Sequence, residues 1–147
     1  MEFQVYTDGS CKGNPGKGGY AFVVYDEIGD LWVKGSGSEK QTTNNQMELT
    51  AAIEALKEID RRYQNYTVKI YSDSSYMINC FKDNWIEKWK KNGWKTFKGE
   101  EVLNREFWEL LNDLVKITKA TFEKTLRKDI RLQEVDREAK TAARSLK

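Results

Sequence analysis

Thr7-Asp8-Gly9-Ser10-Cys11-Lys12-Gly13-Asn14-Pro15-Gly16 follows a short segment in which Phe3, Val5 and Tyr6 supply the apolar residues. The residues before it have the composition of a strand, and the Gly, Asn and Pro after it mark a tight turn. Asp8 is therefore expected at the end of a rigid strand, where a carboxylate is held still and glycines let backbone or ligand approach closely. The competing assignment is an ordinary Asp-Gly turn. Residues further along the chain bear on that choice.

Working outward, Glu2 to Thr7, Tyr20 to Tyr25 and Leu31 to Gly35 read as three strands of an antiparallel meander. The period then changes. Leu49, Ala52, Ile53, Leu56 and Ile59 recur at helical spacing behind the capping material Thr42-Thr43-Asn44-Asn45. Val68, Ile70 and Tyr71 give a fourth strand, followed by Ser72-Asp73-Ser74-Ser75 and a short helix through Met77, Ile78 and Phe81. A strand after a helix implies a parallel neighbour. Phe107, Leu110, Leu114 and Ile117 predict one face of a long helix over about Glu101 to Ile117. Ala120 to Lys124 reads as a final strand, and Arg131 to Lys147, rich in Ala, Glu, Arg and Lys, as a terminal helix. These elements predict an α/β fold, a mixed five-stranded sheet with helices on both faces.

The 147 residues, 39% of them apolar, suit a single domain spanning 1–147 with one substantial core. A net charge of +2 conceals a concentration of Lys and Trp between Lys82 and Lys98. Two cysteines, Cys11 and Cys80, make no disulfide framework, and no stretch has the length and apolarity of a membrane span or signal segment. The expectation is a cytoplasmic monomer with no membrane association and no obligate protein partner.

Four acidic residues stand out by position. Asp8 ends the first strand, Glu48 lies in the first turn of the first helix, Asp73 closes the fourth strand, and Asp136 sits near the start of the last helix. If the first and fourth strands are neighbours, Asp8 and Asp73 emerge at one end of the sheet with Glu48 beside them. Carboxylates so gathered repel one another unless protonated or bridged by cations, and hard oxygen donors suit magnesium or manganese. Each also has a plainer assignment: Glu48 at capping-box spacing from Asn45, Asp73 as a helix N-cap, Asp136 as an exposed helix charge.

The segments Tyr6 to Gly16, Thr43-Asn44-Asn45-Gln46-Met47-Glu48-Leu49 with Ala51 and Ala52, Tyr71-Ser72-Asp73-Ser74, and Val135-Asp136-Arg137 with Ala139 occur in the order found in type 1 ribonuclease H, which the chain resembles. The resemblance covers nearly the whole length. It implies a ribonuclease H-like fold and hydrolysis of the RNA strand of RNA/DNA hybrids, leaving 5′-phosphate and 3′-hydroxyl ends. It also implies two Mg2+ ions, with Mn2+ as a possible substitute, held by Asp8, Glu48, Asp73 and Asp136. Asp8 would bridge the ions, Glu48 and Asp73 would serve the attacking side, and Asp136 the other. Paired ions of this kind activate water and stabilise the leaving oxygen.

By the same resemblance, Cys11, Gly13, Asn14, Thr43, Asn44 and Asn45 meet the minor groove, where RNA offers a 2′-hydroxyl that DNA lacks. Trp85, Trp89, Lys90, Lys91, Trp94 and Lys95 resemble the basic protrusion with which bacterial members grip the DNA strand. Lysines interleaved with aromatics can neutralise phosphates and pack on sugars, although Trp85 and Trp89, four apart on a helix, equally suit packing on the protein body.

The chain departs from the family at its far end. Members commonly carry a Gly-His loop before the last helix, and this sequence contains no histidine. Thr125-Leu126-Arg127-Lys128-Asp129-Ile130-Arg131 stands there instead, Gln133 lies near the usual Asn, and Ser75 replaces a frequent Gln. Glu123, Lys124 and Lys128 are candidate substitutes for the histidine. Slower turnover is expected, since a positioned acid–base group contributes about 100- to 10,000-fold. With the first motif so near residue 1, grip is expected from the domain itself, and at least four consecutive ribonucleotides are expected in the preferred substrate. Two other classes compete: a hybrid-binding domain with decayed catalysis, and a strand-transfer or resolvase relative.

Overall fold

The computed structural model describes residues 1–146, so the last residue of the expected terminal helix, Lys147, lies outside the described residues. Strands β1 (Glu2–Cys11), β2 (Gly16–Tyr25) and β3 (Leu31–Thr42) form an antiparallel meander, and β4 (Thr67–Ser72) and β5 (Ala120–Lys124) add in parallel on the other side of β1. The sheet order is β3-β2-β1-β4-β5. Placing β1 in the centre makes it the one strand with an antiparallel and a parallel neighbour.

The alternation of β1 supplies two cores. Phe3 and Val5 point to one face, where they pack with Leu49, Ala52, Ile53, Leu56 and Ile59 of α1 (Asn44–Arg62). Tyr6 points to the other, beside Ala21 and Val23 of β2 and Val135 and Ala139 of α5 (Ile130–Arg144). Helices therefore cover both faces. The larger core also takes in Met77 and Ile78 of α2 (Ser75–Lys82), Ile86 of α3 (Trp85–Lys91), and Trp108, Leu111 and Leu114 of α4 (Arg105–Thr118).

Three expected boundaries move. β3 runs seven residues beyond Gly35, to Thr42, although Ser36, Ser38, Glu39 and Lys40 show no apolar alternation. An edge strand with a half-wet surface does not need one, and the rings of Phe22 and Tyr20 cover Gly35 and Gly37. α4 starts at Arg105, because Asn104 sits in the left-handed region at φ 63° and cannot continue a helix. Its buried face carries Trp108, Leu111, Leu114 and Thr118, whereas Leu110 and Ile117 are exposed, so the face runs one residue off the expected Phe107, Leu110, Leu114 and Ile117.

β1 also outruns its expected end. Asp8 lies inside it, opposite Ala21 of β2, while pairing with β4 stops at Tyr6 and Tyr71. Beyond that pair β1 and β4 separate, and the sheet opens a crevice at the carboxyl end of β4, a common place for ligand sites in open α/β sheets.

Candidate metal centre and nucleic-acid interface

The crevice is a cavity of about 570 Å³ whose lining includes Asp8, Glu48, Asp73 and Asp136. One carboxylate oxygen from each of Asp8, Glu48 and Asp73 lies within 4.8 Å of the others. Four elements bring these side chains together. Asp8 comes from the centre of β1, and Asp73 follows the last residue of β4. Glu48 is on the second turn of α1 rather than the first, and Asp136 is in the middle of α5 rather than near its start.

The capping assignments go to other residues. Thr43 is the N-cap of α1 and accepts the Gln46 amide, so Glu48 is not engaged there. Ser74 caps α2 by accepting from Met77, which leaves Asp73 free of that role. Gly9 explains how Glu48 gets so close. A Cβ at that position would stand 2.5 Å from the Glu48 backbone nitrogen, so the missing side chain lets α1 lie directly on β1.

The inner pair is held against its chemistry. Burial, then the charge of Glu48, hydrogen bonds with Asp136 and Glu48, and the charge of Asp73 push Asp8 up to about 10. Burial also raises Glu48, to about 8, with the charges of Asp73 and Asp136 adding to it and hydrogen bonds to Asp8 and the Gly9 backbone opposing. One buried oxygen of Glu48, Oε2, has no hydrogen-bond partner. An orphaned acceptor facing other carboxylates is an uncompensated cost in a low-dielectric pocket. A divalent cation fits that donor set, since it would offset the repulsion and give the orphaned oxygen a partner.

The outer pair is compensated by protein. Lys140 Nζ lies 3.0 Å from Asp136 one helical turn away, and Arg127 Nε lies 3.4 Å from Asp73. Partial burial works against ionisation of Asp136. The hydrogen bonds with Asp8 and Lys140 and the charges of Lys140 and Arg127 outweigh it, so this carboxyl titrates below its usual value.

The expected nucleic-acid contacts divide into three groups. Cys11, Asn44 and Asn45 line the cavity. Gly13, Asn14 and Thr43 do not, but they shape the loop beside it: the Asn14 side chain accepts the Asn44 amide at 3.0 Å, and Gly13 turns at φ 68°. Trp85, Trp89, Lys90, Lys91, Trp94 and Lys95 sit on α3 and the following loop, outside the cavity lining. Their lysines are exposed.

For the tryptophans the packing assignment carries weight. The Trp89 ring lies about 6 Å, centroid to centroid, from each of Trp85, Trp94 and Trp108, linking α3 to the large core. Trp94 is buried, with the Arg105 guanidinium 4.9 Å over its ring, and as placed it supports the loop from beneath. The aromatic that the loop does expose is Phe97, 95% accessible between Thr96 and Lys98. An exposed apolar residue in a lysine-rich turn was the available signal for it.

Sequence reasoning also passed over Arg127 and Lys140. Lys140 was readable as an i,i+4 partner of Asp136. Of the substitutes considered for the histidine, Glu123 and Lys128 do not line the cavity, and Lys124 donates to Ser75 Oγ at 2.6 Å. Among the described residues no helix is long and apolar enough to cross a membrane.

Comparison with known proteins bears directly on this site. The model of the RNase H family matches residues 1–143. A ribonuclease H of Acetivibrio thermocellus is 53% identical over 116 residues, covering 78% of this chain and 75% of that protein. A ribonuclease H of Syntrophomonas wolfei is 42% identical over 123 residues, covering 84% and 82%. Among solved structures, LC9-RNase H1, described as a type 1 RNase H with the type 2 active-site motif, superposes with a TM-score of 0.85 at 27% identity, over 99% of this chain and 74% of its own. LC11-RNase H1, solved in complex with an RNA/DNA hybrid, superposes at 0.77 with 22% identity over 97% and 96%, a likeness of fold.

Proposed function

The chain belongs to the RNase H family, and from that premise we propose that it cuts the RNA strand of RNA/DNA hybrids with Asp8, Glu48, Asp73 and Asp136 as its metal-binding carboxylates. The carrying observation is the gathering of Asp8, Glu48 and Asp73 oxygens within 4.8 Å in a cavity that Asp136 also lines. Enzymes of this family use divalent metal ions. Magnesium is the ion proposed here and manganese its substitute, because the donors are hard carboxylate oxygens.

When bound, a pair of divalent ions supplies an activated water and stabilises the leaving oxygen. The chain's own residues do the rest. Asp8, on the central strand, would hold both ions, with Glu48 and Asp73 serving the attacking side and Asp136 the other. Lys140 and Arg127 pair with the outer carboxylates, and protons held by Asp8 and Glu48 would be released as cations bind. Cys11, Asn44 and Asn45 give the cavity a wall of small and amide groups suited to sensing a 2′-hydroxyl. Hydrolysis leaves a 5′-phosphate and a 3′-hydroxyl. In this reading the lysines of α3 and its loop hold the DNA strand, and residues 1–147 act as one domain and as a monomer.

The test is cleavage of an end-labelled RNA/DNA hybrid with Mg2+ and separately with Mn2+, beside single-stranded RNA and the Asp73→Asn variant. Metal-dependent cutting confined to the hybrid and lost in the variant is the expected result. Retained hybrid binding with no cutting in either metal would overturn the enzyme in favour of a binding module.

A further inference from the structure

Phe97 is 95% exposed, whereas every other Phe, Tyr and Trp among the described residues is buried or half-buried. The loop that carries it is built to hold it still. The Thr96 amide donates to the Glu100 carbonyl at 2.7 Å, the Gly99 amide to the Thr96 carbonyl at 2.9 Å, and the Glu100 amide to Thr96 Oγ1 at 3.2 Å, with Gly99 turning at φ 84°. Below this turn, Lys95 and Glu101 form a β-bridge, the Asn92 side chain donates to the Lys95 carbonyl at 3.1 Å, and the Val102 amide donates to the carbonyl of buried Trp94. The ring therefore stands in water on a closed turn seated on the core.

Its surroundings say what it can meet. Lys91, Lys95 and Lys98 are exposed on the same loop, and among the described residues only Lys95 of the three reaches a carboxylate, Glu101 at 3.8 Å. Ammonium groups beside an open aromatic face suit a polyanion that also has a flat ring to offer, which is a nucleotide. Within a duplex the faces of each base are covered by its neighbours in the stack. Only an unpaired base leaves a face for Phe97.

Resting on the reading in which this loop holds the DNA strand, we propose that Phe97 stacks on an unpaired base of that strand, so that the protein favours hybrids whose DNA continues past the RNA as a single strand. The lysines attract any phosphate, paired or not, and the ring supplies the discrimination. Because the loop lies outside the cavity lining, the contact is made away from the scissile bond. Its effect consequently falls on KM and leaves kcat unchanged.

The experiment measures binding of the full chain by fluorescence anisotropy in EDTA to a blunt RNA/DNA hybrid, to hybrids with a single-stranded DNA extension at one end or the other, and to the same extensions made of abasic sites. At one end, the extension that carries bases is expected to bind about five- to fiftyfold more tightly than its abasic counterpart. Phe97→Ala should erase that difference while its affinity for the blunt hybrid stays within about twofold of the parent, and Phe97→Trp should keep it. Lys98→Ala should weaken every probe alike. A parent that treats base-bearing and abasic extensions equally at both ends overturns the proposal. So does a Phe97→Ala variant that loses as much affinity for the blunt hybrid as for the extended one, because the ring then packs on the duplex. Cleavage of the same probes with Mn2+ separates this from the hydrolase reading: a parent that cuts none of them yet binds with the Phe97-dependent preference loses that activity and keeps the stacking contact.

Discussion

Asp8 and Glu48 carry a stability consequence that can be read separately from catalysis. Both titrate well above their ordinary values, so the native protein keeps protons there that the unfolded chain has already released. Groups raised in this way stabilise most below their unfolded values and lose that contribution as pH climbs toward their folded ones. With divalent ions chelated, unfolding free energy from urea melts is expected to fall as pH rises from about 5 to about 8, by at most about 1.4 kcal/mol per pH unit for each proton retained. Asp8→Asn should flatten that slope and abolish cleavage together; a slope unchanged in the variant would exclude the pair as its source. Asp136, which titrates below its usual value, contributes with the opposite sign. At this scale the sequence already singled out all four carboxylates through their motifs, although only Asp73 stands at an element end in the structure. Arg127 was not legible, because its pairing with Asp73 joins residues far apart in the chain through a loop with no periodic pattern.

Among the elements, those with one face against the sheet were the readable ones. α1 has nine buried residues, and the apolar positions picked out by periodicity are among them. α4 was readable as a helix but not in its phase, because Leu110 and Ile117 are as apolar as Leu111 and Val115 and either register satisfies the pattern. Trp108 decides it, by filling the centre of the aromatic cluster and donating its indole N–H to Tyr76 Oη at 3.2 Å. The seating of α5 depends on a missing side chain that no pattern reveals. A Cβ on Gly19 would overlap the Ala139 carbonyl oxygen and stand 2.6 Å from the Ala143 amide. Gly19→Ala must therefore lift α5 from β2, and Asp136 with it. The variant is expected to lose about 1–3 kcal/mol of stability, as overpacked sites do, and to bind Mn2+ more weakly by calorimetry. Parent-like Mn2+ affinity in a folded variant would show that Asp136 does not depend on that seat.

For the molecule as a whole, the two faces of the sheet are unequal. The α1 face collects the great majority of the buried side chains, including Trp108, Phe3 and Leu56, whereas the α5 face holds Tyr6, Ala21, Val23, Val135 and Ala139. The α5 face holds the smaller share of the buried apolar side chains. Free energies of local opening follow such differences in buried apolar contact. α5 is then expected to open before the rest of the fold, and each opening would carry Asp136, Lys140 and the anchor of the Arg127 loop away from Asp8 and Glu48. Amide hydrogen exchange under native conditions should show the interior of α5 exchanging as a cooperative group well before that of α1; equal protection in the two helices would rule it out. If Asp136 and Asp8 hold divalent ions together as proposed, adding the ions is expected to slow exchange in α5 selectively.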